Sequence, residues 1–446
     1  MITSLRVRPF MMRTTAIALL FRALMPALIA AEPVVINRDG AWCWFQDERA
    51  LVWRDKLTTA SITRNGTVQA STWDWTTGSI DVTDLRADFG RDDHNVAALL
   101  LRDDGRMMAF YAKHHAEPLM HWRISVRPFD VTEWEPERTF NAGVAERFTY
   151  ANPFQLSGEH GRIYLFWRGA GFNPTWSASD DGGAIWRPGA NHIFSQKSER
   201  PYVKYASNGR DTIHFAFTEA HPDRPGHTSL YHAFYRLGQL CRSDGTIVRA
   251  LTDGPVTPEE ATRIFDGDGP DGEAWVWDIA LDEAQQPVIA YTSHPSPHDI
   301  RYRYARWNGS SWEDREIAFA GERLYKGQEF YAGGICLDPD DTQVVYLSSN
   351  VNIAEGSPIP GGRYEIHRGE TSDSGATWTW SHLTPGTTRN NLRPIVPARH
   401  PGKTFVLWER GDYRSYLDYE TEIVALTDAD VAPLKKHPAA AAGTAR

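Results

Sequence analysis

A chain of 446 residues has room for one large domain or two to three ordinary ones. Its net charge of −10 is spread without long runs of one sign, which excludes a nucleic-acid surface. The three scattered cysteines, Cys43, Cys241 and Cys336, allow at most one disulfide and make no zinc motif. Aromatic residues make up 12% of the chain, with 17 Trp, a content that suits an all-β core or surfaces that stack on sugar rings.

Taken in order, the chain opens with Arg6, Arg8 and Arg13 ahead of a mainly apolar run, 16–31, interrupted by Arg22. This reads as a signal peptide over residues 1–31, with a tidier start at Met11 or Met12, and it implies a secreted or periplasmic protein. The run is too short to span a bilayer, and no later stretch is apolar enough to do so. Residues 32–428 read as one domain and 429–446 as a flexible tail.

Within the domain, helical periodicity is almost absent. Short apolar or alternating runs recur, broken by Asp-Gly, Asn-Gly and Gly-Gly turns, which is the pattern of an all-β chain. The first strand is expected over Trp42 to Trp53. The next stretch, Arg91 to Arg123, reads as a β-hairpin: Val96 to Leu101, a turn at Asp103-Asp104-Gly105, then Met107 to Tyr111. His94 opens the first strand and His114 closes the second, so antiparallel pairing brings both to one end. His115 is an adjacent rival whose side chain should face the other way.

Two segments, Ser179 to Trp186 and Thr371 to Trp378, follow the pattern S/T-x-D-x-G-x-x-W, with an echo at Trp307 to Trp312. Such an Asp-box staples a turn through its hydroxyl, carboxylate and Gly, and packs its Trp underneath; it carries no chemistry. A second repeat is a polar residue followed by Pro or an apolar residue at the start of apolar strands. It occurs at Asn95-Val96, Asn152-Pro153, Arg200-Pro201, Asp278-Ile279, Gly334-Ile335 and Arg393-Pro394. The spacings are about those of four-stranded units, and with the first strand they count to a seven-bladed β-propeller.

In that arrangement the strand starts ring one mouth of the channel. Blades two to four bring His94, His114, Tyr150 and Arg168 there, with Asn95, Asn152, Asn173, Arg200, Tyr202, Lys204, His221 and Arg224 as substrate-binding candidates. Blades five and six offer Trp275, Trp277, Asp278, Glu329 and Tyr331. Each has a bland alternative: a histidine bonded to blade-edge backbone, a stacked tyrosine, or an arginine paired with an acid such as Glu146 or Asp278. The cluster is cationic and phenolic in an acidic chain, which suits an anionic ligand. A uronate is attractive because Arg pairs a carboxylate bidentately. β-Elimination needs the carboxylate neutralised, a base for the C5 proton and an acid for the leaving O4. Arg168 can serve the first need, and His94, His114 and Tyr150 can share the others. A hydrolase would want paired carboxylates, and Asp92, Asp93, Asp278 and Glu329 make no specific spacing. His294, His298 and Asp299 are too loosely spaced for a metal motif. No metal or other cofactor is required for the chemistry, and a structural Ca²⁺ or Zn²⁺ is left open.

Three sets of residues carry a resemblance. They are Trp42 to Ala50 with Asp92-Asp93-His94-Asn95; Tyr150-Ala151-Asn152-Pro153 with Arg168; and Arg200 to Tyr205. Together they resemble the BNR/Asp-box repeat family of seven-bladed propellers, which contains ulvan lyases and lyases that release rhamnose from rhamnosyl-glucuronate. The likeness runs from about Gly40 to Thr427. It implies a secreted polysaccharide lyase forming a 4,5-unsaturated uronate, with His94, His114, Tyr150 and Arg168 matching the lyases' catalytic residues and Asn173 a substrate-side Asn. The implied partner is an anionic uronate-containing polysaccharide or oligosaccharide; no nucleic-acid or membrane partner is expected, and the protein is expected to be a monomer. Related rhamnosidases use a histidine in the first-strand motif on the opposite face, where this chain has Gln46. The competing readings are a glycoside hydrolase on the same linkage and a non-catalytic glycan-binding propeller.

Overall fold

The strands expected from the alternating runs form seven antiparallel sheets, the blades of a β-propeller. The computed structural model describes residues 32–427 apart from 115, 142, 144, 197–199, 223–227, 297 and 399–404. The leader expected at 1–31 and the tail expected at 429–446 lie outside the described residues.

Blade 1 runs from Ala50–Trp53 to Ile80–Arg86 and blade 2 from Ala98–Leu101 to Arg138–Phe140. Blade 3 runs from Thr149–Leu156 to Arg187–Asn191, and blade 4 from Tyr202–Ser207 to Thr262–Phe265. Blade 5 runs from Glu273–Leu281 to Trp312–Gly321, and blade 6 from Ile335–Asp338 to Thr379–His382. Blade 7 is composite. Asn390–Ile395, Phe405–Ser415 and Asp418–Thr427 supply its inner strands, and Val34–Asn37 from the other end of the domain adds the outermost one, antiparallel to Asp418–Thr427.

A blade is covered on both faces by its neighbours, so its inner strands read as nearly continuous apolar runs. Thr212–Thr218, TIHFAFT, is buried along its whole length. Phe110 and Trp122 of blade 2 share one core cluster with Ile163, Leu165 and Trp167 of blade 3. The Asp-boxes are turn staples, as expected. Asp181 accepts the amides of Ala184 and Ile185 at 3.0 and 2.9 Å, and Trp186 packs edge-on against Phe110.

The first expected strand is a correction. Only Ala50–Trp53 of the run from Trp42 is strand. Trp42, Cys43, Trp44, Phe45 and Gln46 are instead buried in a loop that fills the middle of the ring. Trp44 lies flat on Trp277 at 4.2 Å and edge-on to Trp275 and Tyr331. This plug bonds to five blades. The Gln46 amide donates to the His94 carbonyl of blade 2, the Asp47 amide to Asn152 of blade 3, and Lys204 of blade 4 donates to the Trp44 carbonyl. The Trp44 indole donates to the Val276 carbonyl of blade 5, and the Trp42 indole to the Arg393 carbonyl of blade 7. Arg393, fully buried, closes the core by pairing with Asp93 at 2.6 Å and donating to the Tyr413 hydroxyl at 2.7 Å. The run has strand composition, but its aromatics pack against the plugged channel, which no local pattern specifies.

Candidate active site

His94 does not open a strand. It sits in a single 3₁₀ turn, Asp93–Asn95, just ahead of blade 2's inner strand, and the Asp92 carboxylate caps that turn by accepting the His94 amide. The expected hairpin follows, with Ala98–Leu101 paired to Met107–Tyr111, and it returns the chain to His114. The two imidazoles stack at 4.2 Å with an angle of 16°. One carboxylate joins them: Asp92 Oδ1 lies 2.7 Å from His94 Nδ1 and Asp92 Oδ2 lies 2.8 Å from His114 Nδ1. Asn95 fixes the second histidine from below, accepting the His114 amide at 2.8 Å while its own amide donates to the Gly90 carbonyl.

Tyr150 stands beside the pair, its ring 5.8 Å from His94 and 6.5 Å from His114. It begins blade 3's inner strand with a left-handed backbone, φ 61, at a register irregularity, which turns the side chain out of the regular pleat. Arg168 ends the neighbouring strand opposite Thr149, and its guanidinium lies 4.6 Å over the Tyr150 ring and 5.3 Å from the Tyr202 ring. Arg168 is 4% exposed, yet Nε and Nη1 meet no hydrogen-bond acceptor among the described residues. The cluster continues from Tyr202 to His221 at 5.3 Å and from His221 to Trp275 at 4.6 Å. Tyr416, on the turn between the last two long strands, closes the other side, edge-on to His94 at 5.1 Å.

The electrostatics follow from this packing. Burial alone would raise the Asp92 carboxyl, but His94 and His114 hold it well below the usual carboxylate range. Burial opposes charge on His94, and its acidic neighbours Cys43, Tyr150, Asp93 and Asp92 outweigh that and raise it well above the ordinary imidazole value. Asp92 and Asp93 are themselves held below the usual carboxylate range and face the imidazolium as anions. Burial and the neighbouring Tyr202 push the Tyr150 phenol up, against Arg168 and His94, so it stays protonated. The site thus presents two cations, a phenol donor and a histidine anchored through Nδ1.

The other expected binding residues separate. Asn152 and Lys204 are corrections of place. Both are buried, and their polar atoms hold the plug: the Asn152 amide donates to the Phe45 and Tyr150 carbonyls, and Lys204 binds Asp47 and Trp44. Asn173 ties its own loop, donating to the Gly171 carbonyl and accepting the Ser195 amide. Arg200 lies over the Phe172 ring at 5.2 Å. Arg224 lies outside the described residues. Of blades five and six, Trp275 and Tyr331 line the plug, Asp278 caps the Leu337 amide, and Glu329 pairs with Arg323.

Sequence reasoning passed over Asp92 as an orienting group and missed Tyr416 altogether. Asp92 had a signal, an acid two residues before a histidine on a turn. Tyr416 had none, because only closure of the ring brings blade 7 to blade 2. Asp92, His94 and His114 each offer a ligand atom within 4.8 Å of the others, as do Cys43, Asp93 and His94. Such nitrogen- and sulfur-containing sets suit Zn²⁺ better than Ca²⁺, although in the first set Asp92 already accepts from both imidazoles.

The profile of the BNR repeat-containing family matches residues 48–320. No curated protein matches the chain. Among solved structures, a PL25 ulvan lyase bound to -[GlcA(1-4)Rha3S]- superposes with a TM-score of 0.64 at 16% identity, over 89% of this chain and 94% of that one. Polysaccharide lyase Uly1 superposes with a TM-score of 0.55 at 12% identity, over 89% and 98%.

Proposed function

Since the chain belongs to the BNR repeat-containing family, we propose that it is a secreted polysaccharide lyase cleaving a uronate-containing glycan of the rhamnosyl-glucuronate type by β-elimination. The observation that carries this reading is the Asp92-bridged pair of histidines set beside Tyr150 and Arg168. The two carboxylates at this position, Asp92 and Asp93, are engaged by His94, His114 and Arg393, whereas a hydrolase needs a pair that flanks the bond to be cut.

Arg168 binds the substrate carboxylate, whose neutralisation acidifies the C5 proton. The His94 imidazolium adds charge stabilisation as the C5 carbanion develops. Donation of Nδ1–H to Asp92 puts the His114 lone pair on Nε2, the nitrogen that takes the C5 proton. Tyr150 donates its phenolic proton to O4 as the C4–O4 bond breaks, and the electron pair from C5–H becomes the C4–C5 double bond. The product is a 4,5-unsaturated uronate, formed without water. The reaction takes no metal, so dialysis against a chelator leaves turnover unchanged. Ulvan and arabinogalactan side chains are the two candidate substrates. The ulvan lyases that share the fold support the first.

The test is the short-wavelength ultraviolet absorbance of the conjugated unsaturated product on incubation with ulvan and, separately, with gum arabic. The expected result is a rise on one of them that falls by about 10²–10⁴-fold in His114→Ala with the fold intact. New reducing ends without the absorbance would mean hydrolysis, and retained glycan affinity without turnover would mean a binding propeller.

A further inference from the structure

The far side of the ring from the histidine pair carries a groove between blades 3 and 4 that the chemistry above does not use. Tyr150 and Arg168 lie at one end of their strands, and the turn holding Glu159 and the strand start at Arg187 lie at the other. The groove has a volume of 510 Å³, within the ~300–1,000 Å³ of small-ligand sites. Trp176 lines it, one side of the indole lying so close to the Gly189 backbone that a Cβ there would fall 2.5 Å from the ring. Beside it, the buried Tyr164 and Tyr235 both donate to Glu159, at 2.9 and 2.7 Å. Leu237, 57% exposed, forms an apolar rim.

Charge decides the ligand class. Two guanidinium groups border the groove, Arg162 and Arg187, and both engage Asp180, while Arg162 also reaches Glu159. Two cations face two carboxylates, so an acidic sugar finds no uncompensated partner here, in contrast to the Arg168 site. A carboxylate with one acceptor position to spare, guanidinium donors, an indole and an apolar rim together fit a ring with hydroxyls on its edge and an apolar face.

We propose that this groove is a second saccharide site, taking a neutral pyranose residue of the polymer and holding the chain on the protein away from the place of cleavage. The assignment rests on the reading of the protein as acting on a polysaccharide, and binding is measured apart from turnover. The full chain is run in native gels cast with ulvan or gum arabic, against Trp176→Ala, Arg187→Ala and His114→Ala. Wild type and His114→Ala are retarded alike. Trp176→Ala and the exposed Arg187→Ala lose at least half of the retardation, with circular dichroism and Tm unchanged for Arg187→Ala. Free L-rhamnose competes, and free glucuronate does not. Absorbance assays on short oligosaccharides stay within twofold of wild type in both groove variants. Equal retardation of Arg187→Ala and wild type, absence of retardation in wild type, or competition by glucuronate alone each overturns the proposal, whether or not the absorbance assay shows elimination.

Discussion

At the scale of single residues, the site depends on one carboxylate shared by two imidazoles. Asp92 is 9% exposed and depressed in pKa because both partners face it. Removing its charge while keeping its shape, in Asp92→Asn, should lower kcat by about 10–100-fold, the usual cost of losing a group that orients a functional histidine. The pH profile separates orientation from mere packing. His94 is raised by the carboxylates beside it, so wild-type activity that depends on the imidazolium persists toward alkaline pH. In Asp92→Asn the alkaline limb should therefore move to lower pH. Stability moves at the other end of the scale. A carboxyl held below its unfolded value of 3.8 contributes stability above that pH and loses it as pH falls through the folded value. The Tm advantage of wild type over Asp92→Asn should be full at pH 6 and shrink on acidification below about 3.8. A purely structural role for Asp92 would leave the kinetic limb where it is.

At the scale of elements, the decisive piece is the plug from Trp42 to Arg49, which has no regular secondary structure across most of its length. It supports the site from beneath: Phe45 touches both Tyr150 at 5.2 Å and Tyr202 at 4.8 Å, while Trp44 stacks on Trp277. Trp44→Ala empties the centre of the ring. It should cost about 3–5 kcal/mol in denaturant unfolding, the range for large-to-small changes at a buried aromatic. Because Tyr150 rests on the same layer, kcat should fall with it, and KM less so. A stability loss with unchanged kcat would show that the plug fills space without positioning the phenol. Two acids of this layer, Glu48 and the fully buried Glu409, are pushed up to about 8, mainly by burial. A carboxyl raised in the fold binds a proton that the unfolded chain has released, so both groups cost stability as pH rises from about 4.5 toward 8.

At the scale of the molecule, the ring is closed by a strand that begins the domain. Val34–Asn37 completes blade 7, and Asn37 reaches on to blade 1, donating to Ser61, Gln69 and Ser71. Deleting residues 32–37 should leave Asp418–Thr427 as an unpaired edge and uncouple blade 7 from blade 1. The expected outcome is a lower Tm and aggregation on heating, read by light scattering. An unchanged Tm would show that the plug alone holds the ring together.

Much of this was legible in the chain itself. Alternation and turn chemistry act over a few residues, so the all-β class, the Asp-box staples and the hairpin carrying His94 and His114 could be read directly. The blade-sized repeat gave the count of seven, and the residue types, His with Tyr and Arg in an acidic chain, marked the mouth where Tyr150 and Arg168 meet the histidines. What could not be read were contacts made across the ring. Trp42 to Phe45 have the composition of a strand, and only a filled channel makes them a plug. Asn152 and Lys204 look like ligand-binding groups until the plug's carbonyls and Asp47 occupy them. Tyr416 joins the site only when blades 2 and 7 meet. Local sequence sets hydrogen-bond period and turn type because those are short-range. Which buried polar group satisfies which is settled by closure of the ring, which brings residues hundreds of positions apart within hydrogen-bond distance.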